Sequence, residues 1–295
     1  MSESPRRIAY LCSAVTISGS EQRRVDAYEH DLMLAALGPP LAARDIELIE
    51  VCWDDAEIDW STFEAAIIGT TWDYWDRCEE FLDTLEVMST KTQLFNSVNL
   101  ARWNIDKRYL RELESKGASM IPTVWIDSPS PASIEAAFDT LGCNDLVLKR
   151  QVGASSDGQH RLSRGTPLPE VTEPMMAQPF QPAILSEGEY SFLFVDGEFS
   201  HALVKRAADG DYRIQSEFGG TEFAHSPTAT DLETAAGVLA LLDERPLYAR
   251  VDMIRDESGS LLLMELELIE PYLYPEQGPE LGALLASAID RRLSY

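Results

Sequence analysis

Two glutamates stand two residues apart in an otherwise apolar run, Leu261-Leu262-Leu263-Met264-Glu265-Leu266-Glu267-Leu268. Side chains on a strand alternate between faces, so Leu262, Met264, Leu266 and Leu268 fall on one face. Glu265 and Glu267 fall on the other, with Leu261, Leu263 and Ile269. A core face explains the leucines but not the two acids. In the preceding segment LYARVDMIR, Ala249, Val251 and Met253 are apolar, while Arg250 and Asp252 share the opposite face. A tight turn over residues 256–259 pairs Arg255 with Ser260. That register puts Asp252 across from Leu263 and diagonal to Glu265, at the roughly 7–8 Å of diagonal cross-strand neighbours. Three bare carboxylates so close repel one another unless a cation joins them. Hard oxygen ligands suit Mg²⁺, which keeps some of its waters and bridges to phosphates. A solvated polar strand face accounts for the spacing equally well when it is taken alone.

Cations that could meet a phosphate lie upstream. Lys149 ends a strand-like run and VGASSDG follows, with small residues and two glycines that let backbone N–H groups approach an anion. The pattern is not a P-loop, since GxxxxGK[ST] is absent. Lys205-Arg206 ends another strand-like run, Arg213 follows in DYRIQSEFGG, and Lys107 stands in RWNIDKRYL. Each is unremarkable singly: a polar connection, a surface pair, a helix lysine. Against a formal charge of −26, from 24 basic and 50 acidic residues, they form a local exception. The overall charge argues against nucleic acid and anionic membranes as partners and requires an anionic substrate to be met by such a cluster.

The elements around these residues read as two kinds of structure. Ile8 to Cys12, Ile46 to Trp53, Ala65 to Thr70 and Gln93 to Asn96 read as strands. Helices run between them from Arg23 to Leu37, stopped by Gly38-Pro39-Pro40, and from Glu79 to Met88. This alternation predicts a parallel sheet; no GxGxxG follows the first strand, which argues against a dinucleotide cofactor. Next come a charged helix from Ile105 to Lys116, a strand in MIPTVWI, a helix from Ser130 to Leu141 and a strand in DLVLKRQ. The last third reads as antiparallel: SFLFV-DG-EFSHALVKR and LYARVDMIR-DESG-SLLLMELELIE are hairpins, and residues 282–293 form a closing helix. The Pro-rich stretches TPLPEVTEP and PFQP mark expected subdomain joints.

The 295 residues suffice for two or three packed subdomains. Cys12, Cys52, Cys78 and Cys143 lie far apart with no CxxC pair, which predicts reduced, buried thiols rather than a disulfide framework or zinc site. His30, His160, His201 and His225 show no ligand spacing. The N-terminal apolar run is too short for a secretory signal, and no stretch of about 18 apolar residues exists to span a membrane. The expected compartment is the cytoplasm.

Taken in order, these pieces resemble the ATP-grasp superfamily, in a branch with glutathione-synthetase-like ATP-binding domains. GTTWDYWDR, LFNSVNLARWNIDKRYL and ARVDM mark the branch, which the D-cycloserine-forming ligases of antibiotic pathways also resemble. The resemblance covers roughly residues 95 to 295. It implies a mixed α/β and α+β chain: an ATP-grasp fold behind an N-terminal Rossmann-like (pre-ATP-grasp) α/β domain. The expected divisions are 1–98, 99–180 for the small ATP-grasp subdomain, and 181–295 for the metal-binding subdomain.

By the same resemblance, Lys107 and Lys149 are the two nucleotide lysines. Gly153, Ser155, Ser156 and Gly158 belong to the loop that closes over the phosphates. The backbone of Gln178, Pro179 and Phe180 serves adenine, and Glu189 the ribose. Lys205 and Arg206 lie near the γ-phosphate, and Arg213 near the transferred phosphoryl group and the acyl substrate. Asp252, Glu265 and Glu267 hold Mg²⁺, with Mn²⁺ as a substitute. Many members carry Asn at the last metal position; Glu267 departs from that pattern and makes the site more acidic. The implied partners are a small-molecule carboxylate and an amine, with a homodimer as a family-level expectation. Trp72, Asp73, Tyr74 and Trp75 follow a strand end, where open α/β sheets bind ligands; they and Tyr272 and Tyr274 are candidates to line the substrate pocket, or else pack at a domain junction.

The resemblance implies a carboxylate activated by ATP as an acyl phosphate and then attacked by an amine. Three readings follow: ligation of two molecules, ring closure within one, or an ATP-binding protein without catalysis. The intact set of Lys107, Lys149, Asp252, Glu265 and Glu267 argues against the third.

Overall fold

A run such as Ala65-Ala66-Ile67-Ile68-Gly69-Thr70, apolar on both faces, belongs in the middle of a covered parallel sheet, and all six residues are buried. The computed structural model describes residues 5–153, 158–208, 210–214 and 219–294. In its first sheet β1 (Arg6–Cys12), β2 (Ile46–Cys52), β3 (Ala65–Thr70) and β4 (Gln93–Phe95) run parallel in the order β2-β1-β3-β4. The register makes Cys12 and Cys52 direct neighbours, although 40 positions separate them in sequence.

Helix α1 (Tyr28–Ala42) starts later than its apolar spacing suggests and does not stop at Gly38-Pro39-Pro40. The prolines sit in its last turn, where the chain needs few further N–H donors. Pro40 gives no hydrogen to the Ala36 carbonyl, and Gly282 of the C-terminal helix packs against that oxygen: a Cβ on Gly282 would come within 1.9 Å of it. Arg44 Nη1 donates to the Pro40 carbonyl and closes the end. Helix α2 (Cys78–Ser89) buries Phe81, Leu85 and Met88.

The charged helix expected from Ile105 to Lys116 is shorter, α4 (Tyr109–Ser115), and a further helix, not among the expected elements, α3 (Val98–Asn104), precedes it across a short break. Lys107 lies in the break, its backbone N–H donating to the Gln151 carbonyl at 2.7 Å. The second sheet, β5 (Val124–Ile126), β6 (Asp145–Arg150), β7 (His160–Ser163) and β8 (Met175–Pro179), is antiparallel in the order β5-β8-β6-β7. Helix α5 (Pro131–Leu141) covers it, started by a Ser130–Ser133 capping box. TPLPEVTEP connects β7 to β8 inside this sheet, so it is not a joint between subdomains, whereas PFQP does lead from this sheet into the next.

In the third sheet β9 (Glu189–Val195), β10 (Glu198–Arg206), β11 (Thr221–His225), β12 (Tyr248–Arg255) and β13 (Leu261–Glu267) are antiparallel, ordered β11-β10-β9-β12-β13. Asp196 and Gly197 both have positive φ, +53° and +81°, as a tight two-residue hairpin turn requires. Short α6 (Ala183–Ser186), α7 (Ala229–Leu239) and α8 (Leu281–Leu293) complete the chain. The α7 residues Ala235 and Val238 join the core under the sheet, and α8 lies along α1.

The register of the last hairpin differs from the turn-based expectation. Arg255 pairs with Leu261 rather than Ser260, and the ladder slips between Asp252 and Met253. Met264 is the extra residue of this bulge. Asp252 therefore pairs directly with Glu265, not with Leu263. The bulge also corrects the faces. Leu261, Leu263, Leu266 and Leu268 all enter one core cluster with Val251 and Met253. Leu262 and Met264 pack on the other side with Ile254, the side that carries Glu265 and Glu267 toward the cleft.

Candidate active site

Polar side chains tie the edge strand β13 to the chain that precedes the second sheet. Tyr109 Oη donates to the Leu266 carbonyl at 2.9 Å and accepts from the Leu266 N–H. Asn104 does likewise across Leu266 and Leu268, and Asn96 bridges Leu247, Tyr248 and Leu268. An edge strand so covered has fewer free backbone groups and a fixed position. The polar residues of LFNSVNLARWNIDKRYL thus place Glu265 and Glu267 and bring Lys107 beside them.

The cleft between the sheets takes residues from all three. Lys149, Gln178, Pro179 and Phe180 come from the second; Glu189, Lys205, Arg250, Asp252, Glu265 and Glu267 from the third; Trp72, Tyr74 and Trp75 from loops at the C-terminal end of the first. Lys107, Gly153, Arg213, Tyr272 and Tyr274 also line it. Asp73 turns away and accepts from the Trp53 indole at 2.8 Å.

Charge in the cleft is dense and interlocked. Lys205 Nζ meets Glu189 at 2.5 Å and Asp252 at 3.3 Å. Arg250 spans Asp252, at 3.1 Å, and Glu267. Ser191 donates a short hydrogen bond to Asp252. Lys107 Nζ reaches Glu265 at 2.8 Å and the Gly153 carbonyl at 2.6 Å. Burial pushes the Asp252 carboxyl up, but Arg250, Lys205 and Ser191 hold it below the usual carboxylate range. Burial, with Asp252 and Glu265 nearby, pushes Glu267 up to about 8 despite Arg250. Burial disfavours charge on Lys107 and Lys205, yet neighbouring carboxylates raise both above the ordinary lysine value. For Lys149 burial outweighs the pull of Glu265 and Glu189 and lowers it, and it makes no ion pair among the described residues.

This donor set fits a hard divalent cation in chemistry. Three carboxylates face one cleft from adjacent strands, a set of hard oxygen donors of the kind Mg²⁺ takes. Their oxygens do not form a ready-made cluster. Among the described residues, the three-ligand group within 4.8 Å is Cys12, His30 and Glu50.

Two expected contributions change. Arg206 does not enter the cleft: next to Lys205 on β10, it takes the opposite face, is exposed, donates to the Glu187 carbonyl and lies over Phe223. The Phe180 N–H already donates to the Asp145 carbonyl at 3.0 Å, so it is not free for a base. The Phe180 ring is stacked by the Arg161 guanidinium at 3.6 Å. Gly158 has φ +65° and packs against Arg150; Ser155 and Ser156 lie outside the described residues. Arg213 lines the cleft and pairs with Asp211 at 2.8 Å.

Sequence reasoning did not assign roles to Arg250, Glu270, Asp26 and Glu29, all of which line the cleft. Arg250 carried a signal, since alternation set it on the face of Asp252. Burial raises Glu270 to about 7, opposed by a hydrogen bond with Tyr74. Asp26 and Glu29 have no sequence signature, because only the packing of α1 against the 272–274 segment brings them in.

A cleft between an antiparallel sheet bearing acids and Lys205 and a second sheet bearing Lys149, behind a parallel α/β sheet, is that of an ATP-dependent carbon–nitrogen ligase of the ATP-grasp fold, which uses ATP and Mg²⁺. Residues 9–96 match the D-cycloserine synthetase DcsG, N-terminal domain family. The chain is 30% identical over 283 residues to the cycloserine biosynthesis protein DcsG of Streptomyces lavendulae, covering 86% of this chain and 93% of that protein. It belongs to the DcsG family. The crystal structure of D-cycloserine synthetase DcsG superposes with a TM-score of 0.81 at 27% identity, covering 97% of this chain and 99% of that one. The ATP-grasp ligase PsnB complexed with minimal precursor, Mg and ADP shares the fold, with a TM-score of 0.65 at 13% identity and 98% of each chain covered. Among the described residues no helix is long and apolar enough to cross a membrane.

Proposed function

We propose that this ligase activates the carboxylate of a small amino-acid derivative as an acyl phosphate and joins it to an amine, in antibiotic biosynthesis. The observation that carries this is the convergence of Lys107, Lys149 and Lys205 with Asp252, Glu265 and Glu267 on one cleft. Lys149, half-buried and without an ion pair among the described residues, is the amine most ready to donate to a phosphate oxygen. Lys107, anchored between Glu265 and the Gly153 carbonyl, couples the phosphate-side loop to the acidic strand. Asp252, Glu265 and Glu267 would hold Mg²⁺, or Mn²⁺ in its place, which when bound supplies charge neutralisation for the transferred group. In this reading Arg213, which lines the cleft, meets the acyl substrate, and Gln178, Pro179 and Phe180 flank the base. Glu189 serves the ribose once its pairing with Lys205 yields. Positioning and electrostatic stabilisation carry the catalysis. Trp72, Tyr74, Trp75, Tyr272 and Tyr274 form the substrate end.

The three sheets support a division near residues 98 and 180. A homodimer and a cytoplasmic location complete the reading, and light scattering tests the first. The deciding experiment for the chemistry is an ADP-release screen across amino acids and their derivatives, alone and in pairs. Release that needs both a carboxylate and a second amine is expected. Release with one derivative alone, matched by a ring product, would replace ligation with ring closure.

A further inference from the structure

The first sheet holds a cluster that the ligase chemistry does not use. Cys12 and Cys52 are register partners at the C-terminal ends of β1 and β2. His30, fully buried in the first turn of α1, points at the same place. Its Nε2 lies 2.9 Å from Glu50 Oε2, and its Nδ1 lies 2.6 Å from Thr70 Oγ1. The ligand atoms of Cys12, His30 and Glu50 are all within 4.8 Å of one another.

We propose that Cys12, Cys52, His30 and Glu50 form a structural site for a thiophilic divalent cation, Zn²⁺ foremost, distinct from the phosphate cleft. The Cys12 sulfur, a His30 nitrogen and a Glu50 oxygen are three of the four donors zinc takes in closed sites, and the Cys52 sulfur, outside that 4.8 Å group, turns toward them to complete the tetrahedral set. Thr70 Oγ1 is in place to accept from Nδ1–H, and Thr16 accepts in turn from the Thr70 hydroxyl at 3.4 Å. That outer bond fixes the tautomer and leaves Nε2 to the metal, the usual role of a supporting group behind a histidine ligand. Without metal, the close Nε2–Glu50 contact is attractive only with a proton between the two groups. The cation takes that proton's place, and loading releases the thiol protons of Cys12 and Cys52. The Glu50 side chain, 29% exposed, gives the ion its way in. Ser18 N–H also donates to Glu50, so the site pins the 13–27 segment that leads to Asp26 and Glu29 in the cleft.

Cobalt(II) titration of the full-length, chelator-treated protein tests this, because thiolate ligation gives a near-ultraviolet charge-transfer band that an all-oxygen magnesium site does not. One equivalent should produce that band with tetrahedral visible bands, and Zn²⁺ should abolish both. Cys12→Ser should remove the band. Cys52→Ser and Glu50→Gln, which alter half-buried side chains and leave the core intact, should each weaken cobalt binding at least about tenfold. Cys78→Ser and Cys143→Ser should bind as the parent does. Absence of a thiolate band, or a band unaltered by Cys12→Ser and Cys52→Ser, overturns the proposal.

Discussion

Strands β9 and β10 meet through a two-residue turn, and their ladder, after a register shift between Phe199 and His201, is regular to Lys205; β12 and β13 meet through a longer turn and carry a bulge beside the acids. In the first hairpin neighbours in sequence part company, Lys205 into the cleft and Arg206 to solvent. In the second, Met264 and Glu265 keep the same side. Alternation therefore separates charges reliably where the ladder is unbroken, and a bulge can bring a carboxylate opposite another without a change in composition.

The largest expected effect falls on the bulged hairpin. Glu265→Gln should lower ATP turnover by at least about 100-fold, the scale of losing a charge-stabilising group, with an unchanged circular dichroism spectrum. Unaltered phosphate release would remove Glu265 from the metal set. On the first hairpin, Lys205→Met leaves Glu189 buried without its cation and Asp252 with Arg250 alone, and should cost about 3–5 kcal/mol in urea unfolding.

The bulge itself is tested by Leu263→Ala and Leu266→Ala. Both leucines are buried in one cluster, so each should cost about 2–5 kcal/mol. Regular alternation puts them on opposite faces, and a cost for only one of the two would contradict the bulge. A pH effect belongs to β10. Burial holds His201 down to about 4, against an ordinary value near 6.5. The unfolded chain therefore binds the proton first, and stability is lost as pH falls from about 6.5 toward 4, by about 3–4 kcal/mol at most. His201→Gln should flatten that part of the stability–pH curve. Smallest of all, Arg206→Ala should change stability by no more than about 0.5 kcal/mol and leave turnover within about twofold; a large loss would return Arg206 to the cleft.

Much of this was legible in the residues. The Asp196-Gly197 turn, the Ser130 cap and the apolar run of β3 each state their structure locally. The co-location of Lys107, Lys149 and Lys205 with the acids followed from the order of elements that the chain shares with ATP-grasp ligases. What was not legible depends on contacts distant in sequence. The bulge at Met264 leaves no local trace, since Leu262 and Leu263 are equally apolar and only packing chooses the inward one. Helix α1 passes its prolines because Gly282, far along the chain, covers the freed carbonyl. Cys12 and Cys52 become neighbours only through strand order, which their spacing in sequence does not show. Glu29 and Asp26 reach the cleft for the same kind of reason.

The account stands most directly on the acyl phosphate. With the substrate carboxylate labelled with oxygen-18 and ATP unlabelled, the inorganic phosphate released during amide formation should carry one labelled oxygen. Unlabelled phosphate, formed at the rate of the amide, would contradict it.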